Sequence, residues 1–360
     1  MARHLYFHIP FCHHICPYCG FFKHQPGKES ISDFVDALGT ELERSTVRNP
    51  ETLYFGGGTP SILSLELWER LGGRLQQLLD FSEVTDWTIE ANPRTFSLEK
   101  ARLWREIGIT RVSLGVQALD AATLKTLGRD HSPEEAIEAF QLLREAEIPA
   151  VNIDLMFAIP GQTPEIWGAG LDQVVSLEPD HVSAYNLTFE EDTEFLAKFE
   201  SGNFGWKEDN DRDAGFFTLA DEKLGTAGFE HYEVSNYARP GKRSLHNQAY
   251  WAGSDYLGLG PSAVSTIQGE RWKNVSDTAA YIDQVARFGH AKAEAEKLTE
   301  EQRSLERLAL GLRTADGIER EPEANEATLI EEGLALRESG RLRLTLEGMM
   351  VADEIAGFLA

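Results

Sequence analysis

Cysteine is scarce in this chain, and its few copies are crowded together. The 360 residues contain three cysteines, all within "FHIPFCHHICPYCGFF", at Cys12, Cys16 and Cys19. An odd number of thiols cannot pair completely in disulfides, and a reducing compartment disfavours such bonds. The triplet therefore predicts a metal or redox site.

Basic charge and long apolar runs are also in short supply. Lys and Arg total 34 against 59 Asp and Glu, a formal charge of −25. That balance disfavours nucleic acid and anionic membrane surfaces, which are bound through clustered cations. We see no secretory leader and no apolar run of about 18 residues that could cross a bilayer. We therefore expect a soluble, cytoplasmic protein.

What is abundant is an alternation of short apolar runs with amphipathic segments. Such runs are typical of strands, and several of the intervening segments begin with Ser or Thr, the usual helix N-caps. This order predicts a parallel βα barrel or a doubly wound sheet. The predicted strands cover residues 4–9, 52–55, 86–91, 111–117, 150–157 and 181–189.

Three unusual stretches follow the first three predicted strands: the cysteine triplet, "GGGTP" and "EANP". In a βα barrel the active groups lie at the carboxyl ends of the strands. We therefore expect the three stretches to share one face.

The alternation stops near residue 235. We predict a core at 1–235, an ordered loop or lid at 236–272, and a small domain at 273–360. The last range ends in a helix, a hairpin with Gly340 at its base and another helix, a pattern typical of winged-helix domains.

Three thiolates suit a [4Fe-4S] cluster whose fourth iron stays open, because electron-transfer clusters and structural zinc sites normally have four protein ligands. Two alternatives stay open from the residues alone. One is a Cys₃His zinc site using His13, His14 or His24; the other is three unrelated buried thiols.

The C-x3-C-x2-C spacing, with Tyr18 before the third cysteine, resembles the signature of radical S-adenosylmethionine (SAM) proteins. The resemblance implies a [4Fe-4S] cluster held by Cys12, Cys16 and Cys19, with SAM on the open iron. "GGGTP" then resembles the motif that meets the SAM amino group. The implied fold is α/β, a partial (β/α)6 TIM-type barrel with a small carboxyl-terminal domain.

Further motifs, "YFGGGTPS", "IEANP", "SLGVQ", "LGRDHS" and "NIDLMFAIPGQT", resemble the family of the oxygen-independent coproporphyrinogen III oxidase and its relative, the haem chaperone HemW. By this resemblance, residues of one set contact cluster-bound SAM: Tyr6, Gly57 and Glu90. Those of a second set line the adjoining pocket: Tyr18, Gly58, Thr59, Gln117, Arg129, Asp154 and Thr188. An internal ion pair is the alternative role for Arg129 or Asp154.

Two features favour the chaperone branch. The oxidase branch carries a fourth cysteine where this chain has Phe21, and "HNQAYW" matches the HNxxYW motif of the chaperone branch. Imidazole is a common haem ligand, so His246 is the candidate axial ligand, with hydrogen-bonded packing as its alternative role. The histidines that remain alternatives for the iron are His8, His13, His14 and His231.

The sequence thus predicts a haem chaperone with a [4Fe-4S] cluster, SAM and haem, which delivers haem to acceptor haemoproteins such as those of a respiratory chain. The alternative is the oxidase reaction, a radical SAM decarboxylation of coproporphyrinogen III propionates. A radical SAM modification of tRNA is a remote third, since the chain has no basic stripe.

Overall fold

The computed structural model describes residues 2–27, 30–202, 207 and 209–360. Its strands, in chain order, are β1 (His4–Ile9), β2 (Thr52–Gly57), β3 (Asp86–Ala91), β4 (Arg111–Gln117), β5 (Ala150–Phe157), β6 (His181–Asn186), β7 (Glu230–Glu233), β8 (Asn236–Ala238), β9 (Tyr256–Leu259), β10 (Val264–Ile267), β11 (Glu270–Asn274), β12 (Lys292–Lys297), β13 (Ile318–Glu319), β14 (Ala335–Glu338) and β15 (Arg341–Leu344).

The helices, in the same order, are α1 (Ile31–Arg44), α2 (Leu65–Leu78), α3 (Leu98–Ile107), α4 (Ala121–Thr126), α5 (Pro133–Glu145), α6 (Pro164–Ser176), α7 (Glu194–Glu200), α8 (Asn210–Thr226), α9 (Leu245–Trp251), α10 (Thr278–Phe288), α11 (Glu300–Leu312), α12 (Ala324–Glu331), α13 (Leu346–Met350) and α14 (Ala352–Leu359). A 3₁₀ turn, Pro60–Ile62, follows β2.

Strands β1 to β6 lie in sequence order and pair in parallel, each joined to the next through helix. Ser or Thr side chains cap the connecting helices α1, α2, α3, α5 and α6, and Asp120 caps α4. At α5, Ser132 forms a full capping box with Glu135. Stacked and tilted aromatic rings contribute to the core of the barrel. The ring centroids of Phe7 and Phe55, for example, are 4.2 Å apart. The partial barrel expected from the sequence is confirmed.

The predicted loop at 236–272 is wrong. The segment contains α9, and β9 pairs in parallel with β1, extending the sheet by β10, β11 and β12. Helix α9 has only seven residues, and its apolar face packs on β2, so a single sequence shows no clear period there. The predicted strand at 181–189 is also too long, since β6 ends at Asn186.

The carboxyl-terminal part has its own core, which includes Leu312, Leu342 and Ile355. Strands β14 and β15 form a hairpin whose turn residues, Ser339 and Gly340, both have positive φ, as tight hairpins need. The expected helix, hairpin and helix are present. As a division into domains, 1–235, 236–272 and 273–360 stays a proposal; its last boundary lies within β11.

None of the helices in the described residues is both long enough and apolar enough to cross a membrane.

Candidate functional site

The cysteine loop, residues 10–24, leaves the carboxyl end of β1 and is closed by backbone hydrogen bonds. Cys12 N–H donates to the carbonyl of His24 at 3.0 Å, and His24 N–H donates back to Pro10 at 2.9 Å. Cys12 is buried, while Cys16 and Cys19 are partly exposed. The loop therefore holds three free thiols at the open end of the barrel.

A chain of side chains from the ends of β2 and β3 and from the loop after α4 joins two of these thiols. Cys12 Sγ lies 3.3 Å from Thr59 Oγ1, which accepts from Asn92 Nδ2 at 3.1 Å. Arg129 donates to Asn92 Oδ1 at 2.9 Å and to Cys16 Sγ at 3.2 Å. Asn92 was missed by the sequence reasoning, although it lies in "EANP" two residues after Glu90.

Burial raises the pKa of the Cys12 thiol to about 11 and raises that of Cys19. A coordinated metal reverses this preference, because it binds the thiolate. The described residues contain no three His, Cys, Asp or Glu side chains that converge on a single ion. Ligands of a cubane bind separate irons and need not converge on one point, so three thiols in one loop fit a cluster.

The turn "GGGTP" lies against the first strand so closely that side chains are excluded. A Cβ at Gly57, whose φ is +103°, would lie 2.4 Å from the His8 ring, and one at Gly58 would lie 2.7 Å from Ile9 O. Gly58 N–H donates to that same carbonyl at 2.8 Å. The glycines therefore bring the backbone after β2 next to the cysteine loop.

Glu90 lies inside the barrel and binds this turn from β3. Its carboxylate accepts from Tyr54 Oη at 2.8 Å and from Gly57 N–H at 3.2 Å. Burial raises the pKa of Glu90 to about 7, and the charge of Asp154 adds to the effect. This carboxyl can therefore hold a proton or accept further hydrogen bonds near neutral pH.

Tyr6 and His8 lie two residues apart on β1, so their side chains share one face of the strand. Tyr6 Oη lies 3.0 Å from His8 Nδ1, and His8 Nε2 lies 2.8 Å from the carbonyl of Phe22. Burial lowers the pKa of His8 to about 4, so its ring is neutral. The pair ties the strand to the far side of the cysteine loop.

Asp154 lies in the middle of β5 and accepts from Ser113 Oγ at 2.8 Å and from Asn152 Nδ2 at 2.7 Å. Burial raises its pKa. The described residues show no ion pair between Asp154 and Arg129. The two side chains therefore do not form the internal ion pair that was the alternative role for them.

The remaining predicted pocket residues lie around the mouth of the barrel, which is the opening at the carboxyl ends of its strands beside the cysteine loop. Tyr18 packs on Phe195 at a centroid distance of 5.9 Å, and Gln117, at the end of β4, has a φ of +67°. Thr188 is exposed beyond β6 and donates to Glu190 at 2.9 Å. Glu190 in turn lies against Gly20 of the cysteine loop.

His246 lies at the other end of the barrel. Its Nδ1 is 2.7 Å from Thr52 Oγ1, at the amino end of β2, and its ring stacks on Tyr54 at 5.1 Å. The residue is 1% exposed, and its Nε2 has no partner in the described part of the chain. Burial lowers its pKa to about 3. The structure thus does not bring His246 to the cysteine loop.

The alternative histidines differ in how far they are engaged. His8 is bound on both nitrogens, and His231 Nδ1 lies 2.9 Å from Asp221. His14 Nε2 binds Gly128 O at 2.6 Å, whereas the ring of His13 is exposed beside it.

Comparisons with known proteins show which sequences and which fold this chain resembles. Residues 6–169 match the family model of the Radical SAM superfamily. The chain is 30% identical to the "Heme chaperone HemW" of Bacillus subtilis over 98% of this chain and 97% of the relative, and 34% identical to that of Lactococcus lactis over 87% and 82%. The structure of coproporphyrinogen III oxidase (HemN) from Escherichia coli matches with a TM-score of 0.84 over 99% of this chain and 90% of that one, at 24% identity. A structural likeness at that identity shows the fold alone.

Proposed function

The chain belongs to the radical SAM superfamily and, within it, to the family of the heme chaperone HemW, and from this premise we propose that it binds haem and delivers it to acceptor haemoproteins. The observation that carries the proposal is the cysteine loop, where three free thiols sit beside Phe21, 70% exposed, at the position of the oxidase branch's fourth cysteine.

Cys12, Cys16 and Cys19 would hold a [4Fe-4S] cluster, which supplies an electron and an open iron for SAM. Arg129 and Thr59 would fix two of the thiols, since each already touches one. Hydrogen bonds to cluster sulfurs tune the reduction potential, so these two residues act on the cluster without binding iron.

SAM would lie against Gly57, Tyr6 and Glu90 at the mouth. The glycine turn leaves backbone accessible, and Glu90 offers a carboxylate that no cation neutralises in the described structure. Gly58, Gln117, Asp154, Tyr18 and Thr188 would line the space beside it, as the family resemblance implies.

His246 remains our candidate axial ligand of haem. Its Nδ1 is fixed by Thr52, and a ring held through one nitrogen presents the other to a metal. Because His246 is buried and its Nε2 has no partner among the described residues, a metal reaches Nε2 only if the packing around α9 opens. His13, exposed beside the cysteine loop, is the alternative that needs no such opening.

We place this activity in the cytoplasm and take respiratory-chain haem enzymes as the class of acceptor. The acidic surface suits a carrier that avoids nucleic acid and anionic lipid. Turnover of coproporphyrinogen is not required by any contact described above.

The test is haem retention by anaerobically reconstituted protein after gel filtration. We compare wild type with His246→Gln, which can keep the contact with Thr52 but is a poor iron ligand. His181→Gln is the matched control, since His181 is equally buried at the amino end of β6 and bonded to Asn152 and Tyr232.

We expect about one haem per chain in wild type and in the control, and a clear loss in His246→Gln. Equal retention by all three proteins keeps the carrier and removes His246 as its ligand. Absence of haem from wild type defeats the proposal, and conversion of coproporphyrinogen III with SAM and a reductant would then establish the alternative.

A further inference from the structure

A groove separates α9 from α11 and the carboxyl-terminal strands, and we name it the α9–α11 groove. Its volume is about 1170 Å³. Pockets for small molecules are typically about 300–1,000 Å³, so this groove has room for a larger occupant.

The floor of the groove is apolar. Trp251 contributes from α9, Leu305 and Leu308 from α11, and Ile318 from β13. Leu305 is 47% exposed, and within α11 Leu312 is the buried residue. Leu305, Leu308 and Leu312 are spaced three and four apart, so they form one apolar stripe on α11. Leu308 packs partly against the carboxyl-terminal core and Leu312 is buried in it, which leaves Leu305 as the exposed part of the stripe.

The edges of the groove are acidic. The carboxylates that line it are those of Glu300, Glu301, Asp316, Glu319 and Glu323. Among the described residues, neither Glu301 nor Glu319 forms an ion pair. These two side chains leave negative charge at the rim.

The arginines at the groove are already engaged. Arg307 pairs with Glu300 at 2.9 Å, and Arg320 pairs with Glu323 at 2.7 Å. Arg341 donates to the carbonyl of Gly317 at 2.6 Å. Arg341 also lies opposite Glu319 across the β13–β15 pair, so the acidity of the rim comes from five lining carboxylates against three lining arginines.

We propose that the α9–α11 groove docks a basic amphipathic helix of a partner protein, its apolar face on Leu305 and Trp251 and its lysines or arginines against Glu301 and Glu319. An amphipathic helix in an apolar groove is a recurring mode of recognition, and complementary charge sets its orientation. The inference rests on the proposed function, in that the partner would be the haem acceptor.

Other occupants suit the groove less well. A second copy of this chain would bring its own charge of −25 to an acidic rim. Haem would find no His, Cys or Met among the described lining residues, and the Tyr232 hydroxyl is held by His181 at 2.8 Å. The anionic propionates would also meet the carboxylates at the rim.

Helix α9 connects the groove to the barrel. Gln248 and Trp251 line it from α9, the helix that carries His246 on its other side. His246 contacts Thr52 and Tyr54 there. A partner in the groove would therefore lie against the helix that carries His246.

The probe is a fluorescent amphipathic peptide of leucine and lysine, about 15 residues long so that it can form a helix, with a leucine–glutamate peptide of the same pattern for comparison. Anisotropy measures binding to the full-length reconstituted protein. The charge variant is Glu301→Lys with Glu319→Lys. Its matched control is Glu66→Lys with Glu294→Lys, since Glu66 and Glu301 are both second residues of capped helices and Glu294 is an exposed strand residue.

We expect the lysine peptide to bind wild type and the control pair alike, and the groove pair about tenfold more weakly. Leu305→Gln, which changes no charge, should also weaken binding, whereas Leu336→Gln, an exposed leucine of β14, should not. Equal binding by Leu305→Gln and wild type, or equal binding of the two peptides, would overturn the proposal.

Haem retention measured on the same proteins separates the two hypotheses. Wild type that retains haem but binds no lysine peptide defeats the groove alone. Wild type that binds the peptide but retains no haem defeats the proposed function and leaves the groove in place. If bound haem blocks the peptide in a competitive manner, the groove belongs to haem and the proposed occupant is wrong.

Discussion

Two carboxylates on one strand show how differently the two ends of the barrel are built. Asp86 and Glu90 lie four residues apart on β3, so they point to the same face. Asp86, at the amino end, pairs with buried Arg111 at 3.4 Å and accepts from Leu245 N–H at 2.9 Å. Glu90, near the carboxyl end, faces Tyr54 and Gly57 N–H but no cation, and burial raises its pKa to about 7.

The amino end pairs most of its own polar groups, with Arg111 Nη1 and His246 Nε2 as exceptions. Arg111 also donates to the carbonyls of Lys242 and Arg243, both at 3.1 Å, and Thr52 lies between the Nδ1 atoms of His4 and His246. These bonds attach α9 to the barrel. The carboxyl end instead leaves thiols, a carboxylate and close backbone free to meet a ligand, which is where parallel barrels place their chemistry.

The largest expected effect comes from removing the cysteines at the carboxyl end of the barrel. Cys12→Ser, Cys16→Ser and Cys19→Ser should each abolish the visible absorption of the cluster after anaerobic reconstitution, because the chain has no spare cysteine. Phe21→Ser, an exposed neighbour in the same loop, should keep the full absorption. A full cluster in any one of the cysteine variants would contradict the ligand assignment.

The next largest expected effect is a loss of stability at the amino end of the barrel. Arg111→Met leaves Asp86 buried without its cation, and such a loss typically costs about 3–5 kcal/mol of unfolding free energy. Arg3→Met removes the exposed pairs with Glu51 and Glu83 and should cost about 1 kcal/mol or less. Urea unfolding of the two variants measures the difference, and equal losses would mean that the buried pair does not hold this end together.

The sequence was enough for the parallel barrel because its strands are apolar or alternating runs and several of the helices between them begin with a Ser or Thr cap, and both signals are local. It also placed the cysteines, "GGGTP" and Glu90 at one end, because parallel strands share a direction. The contact between Arg129 and Cys16 spans 113 residues and has no local signal.

The sequence failed where structure depends on distant partners. Strand β9 exists because it adds to β1, and α9 because it closes the amino end on Thr52 and Asp86. His246 shows the same limit, since its motif indicated chemistry while its position 194 residues from Thr52 along the chain decides that its ring is buried. Asn92 was overlooked because its role, bridging Thr59 and Arg129, appears only when the ends of β2 and β3 meet the loop after α4.

The smallest expected effect sharpens the comparison through pH. The carboxyl of Glu90 has a folded pKa of about 7 against about 4.3 in an unfolded chain, so the folded state holds the proton to higher pH. Stability should therefore fall as pH rises from about 4.3 to about 7, by at most about 1.4 kcal/mol per pH unit, and stay level above that. Glu90→Gln, which cannot ionise, should lack this slope in urea unfolding of the cluster-free protein.

Glu41 supplies the control, because burial raises its pKa to about 7 as well, while its partners, Gly260 N–H, Asn274 and Tyr281, lie on the β9–β11 and α10 side of β1 and not at the glycine turn. Glu41→Gln should remove a similar slope. Adding SAM to the reconstituted protein should change the pH profile that separates Glu90→Gln from wild type and leave the Glu41→Gln difference as it was, because only Glu90 faces the mouth. A change at both positions, or at neither, would contradict the assignment of Glu90 to SAM.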